Sequence, residues 1–284
     1  MIDNLKIHTN LSVAGKHSRD ILFDVFVPGG SGPFPVIIFS HGFKGFKDWG
    51  PFHLIAKQFA EKGFVFIKFN FAFNGTTREE PLEFADLEAF GNNNFTKELD
   101  DLDTVITWAI SETTLFIADQ QKISLLGHSR GGGITILKGA SDDRIESLAT
   151  WASVADFSRF ITGQDIEDWK QSGVHYIENT RTGQMMPLYL QIYYDFITNL
   201  DKLNIKPAVS RMNKPLLLIH GDADETVGLN HAMELKSQNP ENVTLITVED
   251  GDHTFGAGHP FEHSSLPPIF QNVVDETIKF FKAV

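Results

Sequence analysis

The stretch KISLLGHSRGGGITILKGA, Lys122 to Ala140, decides how the rest of the chain is read. Its first part, Lys122 to Gly127, is a short apolar run that predicts a buried strand, and the part from Arg130 has the small and apolar residues of a tightly packed helix. Ser129 falls between them in Gly127-His128-Ser129-Arg130-Gly131, a G-x-S-x-G pattern. A turn that sharp strains its central residue and brings neighbouring main chains close, so its flanks need little side chain. The surrounding glycines meet that need, and the serine is expected at the apex of a nucleophile elbow.

A serine hydroxyl attacks poorly until a base takes its proton, and the base needs a carboxylate to fix its tautomer. Both follow in the order serine, acid, histidine. The apolar run KPLLLIHG leads into HGDADETV and sets Asp224 just past a strand. The run VTLITVED leads into GDHTF and sets His253 just past another. All three would lie at the carboxyl ends of parallel strands, where open α/β sheets build their sites. Asp222, Glu225 and Asp250 compete for the acid's place, but the HG-x-x-D-x-x-V spacing favours Asp224, with Asp222 read as a turn residue. His259 and His263 compete with His253, and together with Asp252 they match no standard metal-ligand spacing, so no metal is expected. His41, His128 and His220 adjoin the motifs and read as packing residues.

These motifs, with SHGFKG (Ser40 to Gly45), make the chain similar to α/β-hydrolase-fold serine esterases. The likeness is to the dienelactone-hydrolase-like and prolyl-oligopeptidase-like branch, which includes bacterial cinnamoyl (feruloyl) esterases. The resemblance implies a mostly parallel sheet flanked by helices. It implies Ser129 as nucleophile, His253 as general base and Asp224 as its orienting carboxylate. It also implies an oxyanion hole made by the backbone N–H groups of Phe43 and Arg130, and no cofactor.

With 284 residues the chain reads as a single α/β-hydrolase domain over residues 1–284. The formal net charge of −13 and the scattered Lys and Arg argue against a nucleic-acid footprint. No cysteine is present, which excludes disulfides and thiolate chemistry. No apolar run approaches the ~20 residues that span a bilayer, and the N-terminus lacks a secretory signal. A cytoplasmic protein without membrane partners is the default expectation, and a mature secreted form would read the same way.

ILFDVFVP predicts an antiparallel edge strand, PVIIFS the first buried parallel strand, and FHLIAKQFAEKG with FVFIKFNF a helix and the next strand. A polar loop is expected over Asn74 to Thr96, then a helix over Lys97 to Ile110 and a strand over Ser147 to Val154. The composition shifts between Asp156 and Arg211. All four tyrosines, Tyr176, Tyr189, Tyr193 and Tyr194, fall there beside Trp169. Such rings suit half-wet surfaces. Residues 156–211 are therefore expected to form a mainly helical cap, with Trp169, Tyr189, Tyr193 and Tyr194 contacting substrate. Arg130 reads either as a carboxylate-binding group or as site wall, and Lys44, Lys47 and Arg78 as solvated loop charges.

The expected reaction is hydrolysis of a small-molecule carboxylic ester with an apolar or aromatic acyl group, of which a hydroxycinnamoyl group is one. Peptidase or thioesterase activity on the same fold is the enzymatic alternative. Related peptidases carry a large N-terminal gating domain, and only a few dozen residues precede PVIIFSHG, so none is expected. A catalytically silent protein holding a small apolar ligand is the alternative from another class.

Overall fold

The computed structural model describes residues 5–161 and 166–284. In chain order the elements are β1 (Lys6–Ala14), β2 (Asp20–Val27), β3 (Phe34–Ser40), α1 (Phe52–Glu61), β4 (Val65–Phe69), α2 (Leu87–Gly91), α3 (Phe95–Ser111), β5 (Ala118–His128), α4 (Arg130–Ser141) and β6 (Ser147–Trp151). There follow α5 (Ile166–Ser172), β7 (Val174–Asn179), β8 (Gln184–Tyr189), α6 (Gln191–Thr198), α7 (Leu200–Leu203), α8 (Ile205–Arg211), β9 (Leu216–Gly221), α9 (Asn230–Gln238), β10 (Val243–Val248) and α10 (Pro268–Ala283). Eight strands form one sheet in the order β1-β2-β4-β3-β5-β6-β9-β10. Pairing is antiparallel at β1/β2 and β2/β4, and parallel from β4 through β10.

This is the α/β-hydrolase architecture. Strands buried on both faces read as unbroken apolar runs, because successive side chains enter different layers. Val36 and Ile38 of β3 enter the core beneath α3 and α4, while Ile37 and Phe39 enter the core that α1 and α10 close. Strand β9 divides the same way: Leu216 and Leu218 go to one side, Leu217 and Ile219 to the other. Among the described residues no helix is long and apolar enough to cross a membrane.

Two boundaries differ from expectation for local reasons. The β6 strand stops at Trp151, because Ala152 takes a positive φ of 49° and turns the chain out of the sheet. Helix α3 starts two residues early, inside the polar Asn run, because the Asn94 side chain accepts the Lys97 amide proton at 2.9 Å and caps it. The described part of the segment between β6 and β9 is mainly helical, in α5 to α8, and it also holds one antiparallel hairpin, β7 paired with β8, which the sequence did not lead us to expect. Each of these short runs directly follows a glycine at positive φ, Gly173 before β7 and Gly183 before β8, and six residues are too few for a helical period to compete.

The sheet order reverses at β3, whose successors lie on either side of it as β4 and β5. The crevice beyond the carboxyl ends of β3 and β5 is therefore the topological switch point. A buried ion network holds the loop after β3 in place there. Lys47 in that loop pairs with Asp24 of β2 at 2.9 Å and with Asp48 at 2.6 Å, while Lys68 of β4 pairs with Asp24 at 2.6 Å and also with Asp48. Lys47 is thus no solvated charge: Lys47, Lys68 and Asp24 are all buried. Removing one member of such a network strands the others without solvent. Lys68→Met is expected to lose about 3–5 kcal/mol of stability, measured by urea unfolding. A loss within 0.5 kcal/mol, the ordinary range for a surface change, would contradict the network's role.

Candidate active site

Ser129 sits between β5 and α4 with φ 56° and ψ −120°, the strained conformation that its position at the elbow implies. Its amide donates to the Trp151 carbonyl at 2.9 Å, and its own carbonyl accepts from Gly132 at 3.0 Å, so sheet and helix hold it from both sides. Close approach explains the glycines. A Cβ on Gly131 would lie 2.3 Å from the His41 carbonyl oxygen and 2.4 Å from that of Ser40. One on Gly42 would meet the Ser129 Cβ at 3.1 Å. The loop after β3 thus passes directly beside the serine.

Asp224 and His253 arrive from the loops after β9 and β10. The His253 Nδ1 lies 2.8 Å from Asp224 Oδ2, and its Nε2 lies 3.0 Å from the Ser129 hydroxyl. The other Asp224 oxygen accepts the amides of Thr226 and Val227 at 2.9 and 2.8 Å. Burial pushes the Asp224 carboxyl up, but the hydrogen bonds from His220 and His253 outweigh burial and hold it well below the usual carboxylate range. An ionised carboxylate only accepts, so Nδ1 carries the imidazole proton and Nε2 is left to receive one from the serine. The competing acids Asp222, Glu225 and Asp250 are exposed; Asp222 accepts the Asp250 amide at 2.8 Å and shapes the turn.

The three motif histidines stand behind this chain of bonds. His220 Nε2 donates to the Val227 carbonyl at 2.7 Å. His128 Nε2 donates to the His253 carbonyl at 2.9 Å, and burial followed by the nearby His253 ring pushes His128 down to about 3. His41 Nδ1 donates to the Gly42 carbonyl at 2.9 Å while its Nε2 accepts the Phe71 amide at 3.3 Å, which fixes a neutral tautomer. Burial lowers His41 to about 4, with the Arg130 charge acting the same way.

Arg130, which opens α4, does not reach the cavity. Its side chain is buried against Glu98 of α3, with nitrogen to oxygen approaches of 3.0 and 2.9 Å, and its guanidinium packs on the rings of Phe43, Phe95 and Phe160. Burial raises the Glu98 carboxyl, and Arg130 opposes that rise. Glu98 has no motif around it, and only its position on the inward face of α3 marks it. Phe43 and Arg130, the two residues whose amides the sequence proposes for an oxyanion hole, are therefore joined through a ring and a guanidinium.

A cavity of about 640 Å³ opens over Ser129 and His253. Phe43, Trp49, Phe160, Ile177 and Leu188 give it apolar walls, and Lys44, Arg159 and Arg181 reach it as well. Lys44 is accordingly a wall residue; Arg78 is an exposed loop cation that donates to the Asn10 carbonyl at 2.7 Å. None of Trp169, Tyr189, Tyr193 and Tyr194 lines the cavity. Trp169 is buried and donates to the Leu188 carbonyl at 3.0 Å. The Tyr189 hydroxyl bonds Glu88 of α2, and Tyr193 stacks edge-on against half-exposed Tyr194. Their composition marks a half-wet surface correctly, but the wet side is the outside of the segment. His259 lines the cavity and accepts the Gly50 amide at 3.0 Å, and His263 is exposed. Among the described residues no three His, Asp or Glu side chains gather in a metal-binding group.

A family model, that of the prolyl oligopeptidase family, matches residues 51–264. The chain belongs to the prolyl oligopeptidase family. It has the α/β-hydrolase fold. A protein of Escherichia coli, named as an uncharacterized 31.7 kDa protein of the traX-finO intergenic region, is 29% identical over 157 residues, which is 55% of this chain and 50% of that protein. The chain thus spans about half the length of the curated relatives it matches. Among solved structures, Est1E from Butyrivibrio proteoclasticus with bound ferulic acid superposes with a TM-score of 0.74 at 18% identity, covering 96% of this chain and 98% of that one. A dienelactone hydrolase from Anabaena variabilis gives 0.65 at 14% identity, covering 98% of each chain. In this chain the crevice at the switch point holds Ser129, bonded to His253 and through it to Asp224.

The neutral His41 predicts an acid response of stability. In the unfolded chain a histidine takes up its proton near pH 6.5, whereas the folded site resists until about 4. Stability from this residue is therefore full above about pH 6.5 and is lost as the pH falls toward 4. His41→Asn is expected to flatten the pH dependence of urea unfolding in that window by up to ~1.4 kcal/mol per pH unit. An unchanged slope would show that His41 is already charged in the fold.

Proposed function

We propose that this chain is a serine carboxylic-ester hydrolase acting through an acyl enzyme. The observation that carries the reading is the continuous hydrogen-bonded chain from Ser129 Oγ through His253 to Asp224, with 3.0 and 2.8 Å links. In this mechanism His253 Nε2 takes the hydroxyl proton as Ser129 attacks the ester carbonyl. The Asp224 carboxylate stabilises the imidazolium that results. The oxyanion rests on the amides of Phe43 and Arg130, each worth roughly a hundredfold to a thousandfold in rate. His253 then gives its proton to the leaving alcohol, and a water molecule repeats the sequence on the acyl enzyme.

The apolar walls favour an ester with an apolar or aromatic portion. The ferulic acid bound to Est1E supports a hydroxycinnamoyl group as one such portion. Residues 156–211, of which 162–165 lie outside the described residues, act as a cap within one catalytic domain, and Phe160, Ile177 and Leu188 are its apolar contribution to the pocket. The family's name favours peptide bonds as a second reading.

Ser129→Ala is expected to lower kcat/KM on short-chain para-nitrophenyl esters by at least ~10⁴-fold, because the oxyanion donors and the pocket remain while the nucleophile is lost. Comparable rates in the two proteins would remove the serine mechanism and leave a ligand-binding protein. With matched ester and anilide substrates sharing one acyl group, the ester is expected to turn over faster. A clear anilide preference would assign the site to peptide bonds.

A further inference from the structure

The cavity over Ser129 is charged against the grain of the protein. The chain carries a formal net charge of −13, yet the lining includes three cations and, among the described residues, no aspartate or glutamate. Arg181 has a carboxylate partner in Glu83 at 3.4 Å, and Lys44 and Arg159 are the remaining two. Among the described residues neither forms an ion pair with a carboxylate. The Lys44 ammonium donates to the Glu178 backbone carbonyl at 3.1 Å, and Arg159 donates to the Thr226 carbonyl while lying over the Phe160 ring.

Both positions are constrained. Lys44 has a φ of 55°, a left-handed conformation that costs a residue with a side chain on the order of 1 kcal/mol or more, and it directly follows Phe43 beside the nucleophile. Arg159 is bound to the segment after Asp224, so the two cations enter the pocket from different walls. Partial burial pulls both below their ordinary pKa, and the charges of Glu178 and Asp224 only partly oppose it. Lys44 is half-buried and Arg159 exposed, and with no carboxylate partner among the described residues each leaves its charge open to an anionic ligand group.

We propose that Lys44 and Arg159 form an anion subsite, and that the substrates of the site are amphiphilic esters carrying a carboxylate beside their apolar portion. The proposal rests on the ester-hydrolase reading for the reaction, but the subsite itself is a matter of binding. The overall acidity of the protein repels such an anion at long range, and the two cations reverse that field within the pocket. Neutral esters fill the apolar walls and leave both cations unmatched.

The test compares the mono-para-nitrophenyl ester of adipic acid, which bears one carboxylate, with its methyl diester, which keeps the chain and masks the charge. Affinity is measured by calorimetry on Ser129→Ala, so that no turnover intervenes. At low ionic strength the half-ester is expected to bind at least ~10-fold more tightly. The preference is expected to shrink in 0.5 M NaCl, on the order of the screening that surface charges undergo, and to disappear in Lys44→Met/Arg159→Met. Equal or tighter binding of the methyl diester overturns the subsite, as does a half-ester preference that survives the double substitution. Should the double variant lose its near-ultraviolet circular dichroism, the single variants Lys44→Gln and Arg159→Gln carry the same comparison, each expected to lose about threefold or more. A wild type that hydrolyses neither ester while Ser129→Ala still prefers the half-ester refutes the reaction and upholds the subsite. A wild type that cleaves both with no preference does the reverse.

Discussion

The contact on which the site depends is backbone against backbone: the first turn of α4 pressed onto the carboxyl end of β3, with no room for a side chain at Gly131. That approach places the Ser129 hydroxyl at the crevice where the sheet order reverses. It also brings the Gly42-Phe43 loop beside it. The strained φ of Ser129, of a kind that costs about 1–3 kcal/mol, persists because its amide and carbonyl are both bonded and Ile134 and Ile136 of the helix behind it are fully buried. A looser elbow would relieve the strain and turn the hydroxyl away from His253.

The electrostatics around that elbow separate groups held fixed from the one that, in the proposed mechanism, moves a proton. His41 and His128 are held neutral, each spending an N–H on a backbone carbonyl, and so brace the loops without competing for the serine proton. Asp224 is held ionised by several donors. Arg130 and Glu98 pair under the elbow, where they bond α3 to α4 and stack the guanidinium beneath Phe43. Substituting one partner of such a pair strands the other, so the pair enforces geometry more surely than it adds stability.

How much of this was legible follows from where the information lies. The sheet, the elbow and the order of Ser129, Asp224 and His253 are carried by apolar runs and short motifs, which are local in sequence. The Arg130–Glu98 pair spans 32 residues and the Lys47–Asp24 pair 23, and no periodicity announces either. Lys44 and Lys47 have equal standing as loop lysines in the sequence; the structure buries one in an ion network and points the other into the cavity. Tyrosine composition identifies a surface that is half wet without saying which side of it faces the site. The hairpin is hidden for a related reason, since short strands outside the main sheet lack the unbroken apolar character that marks the others.

The same distinction explains what the tyrosines do in place of contacting a ligand. Tyr189 bonds Glu88, Gln184 reaches the Phe84 carbonyl at 3.1 Å, and Gln191 reaches the Asn93 carbonyl at 2.7 Å, so the hairpin and α6 are fastened along the loop that carries α2. Beneath these polar ties Trp169, Met186, Leu188 and Ile192 are buried in one cluster with residues of the sheet and of α3. Swinging the segment open as an independent lid would expose those side chains, at roughly 1.5–3 kcal/mol for each large one. The pocket over Ser129 is therefore shaped largely in advance, and under the proposed function selectivity falls to the residues that line it, Phe160, Ile177 and Leu188 for apolar fit and Lys44 and Arg159 for charge.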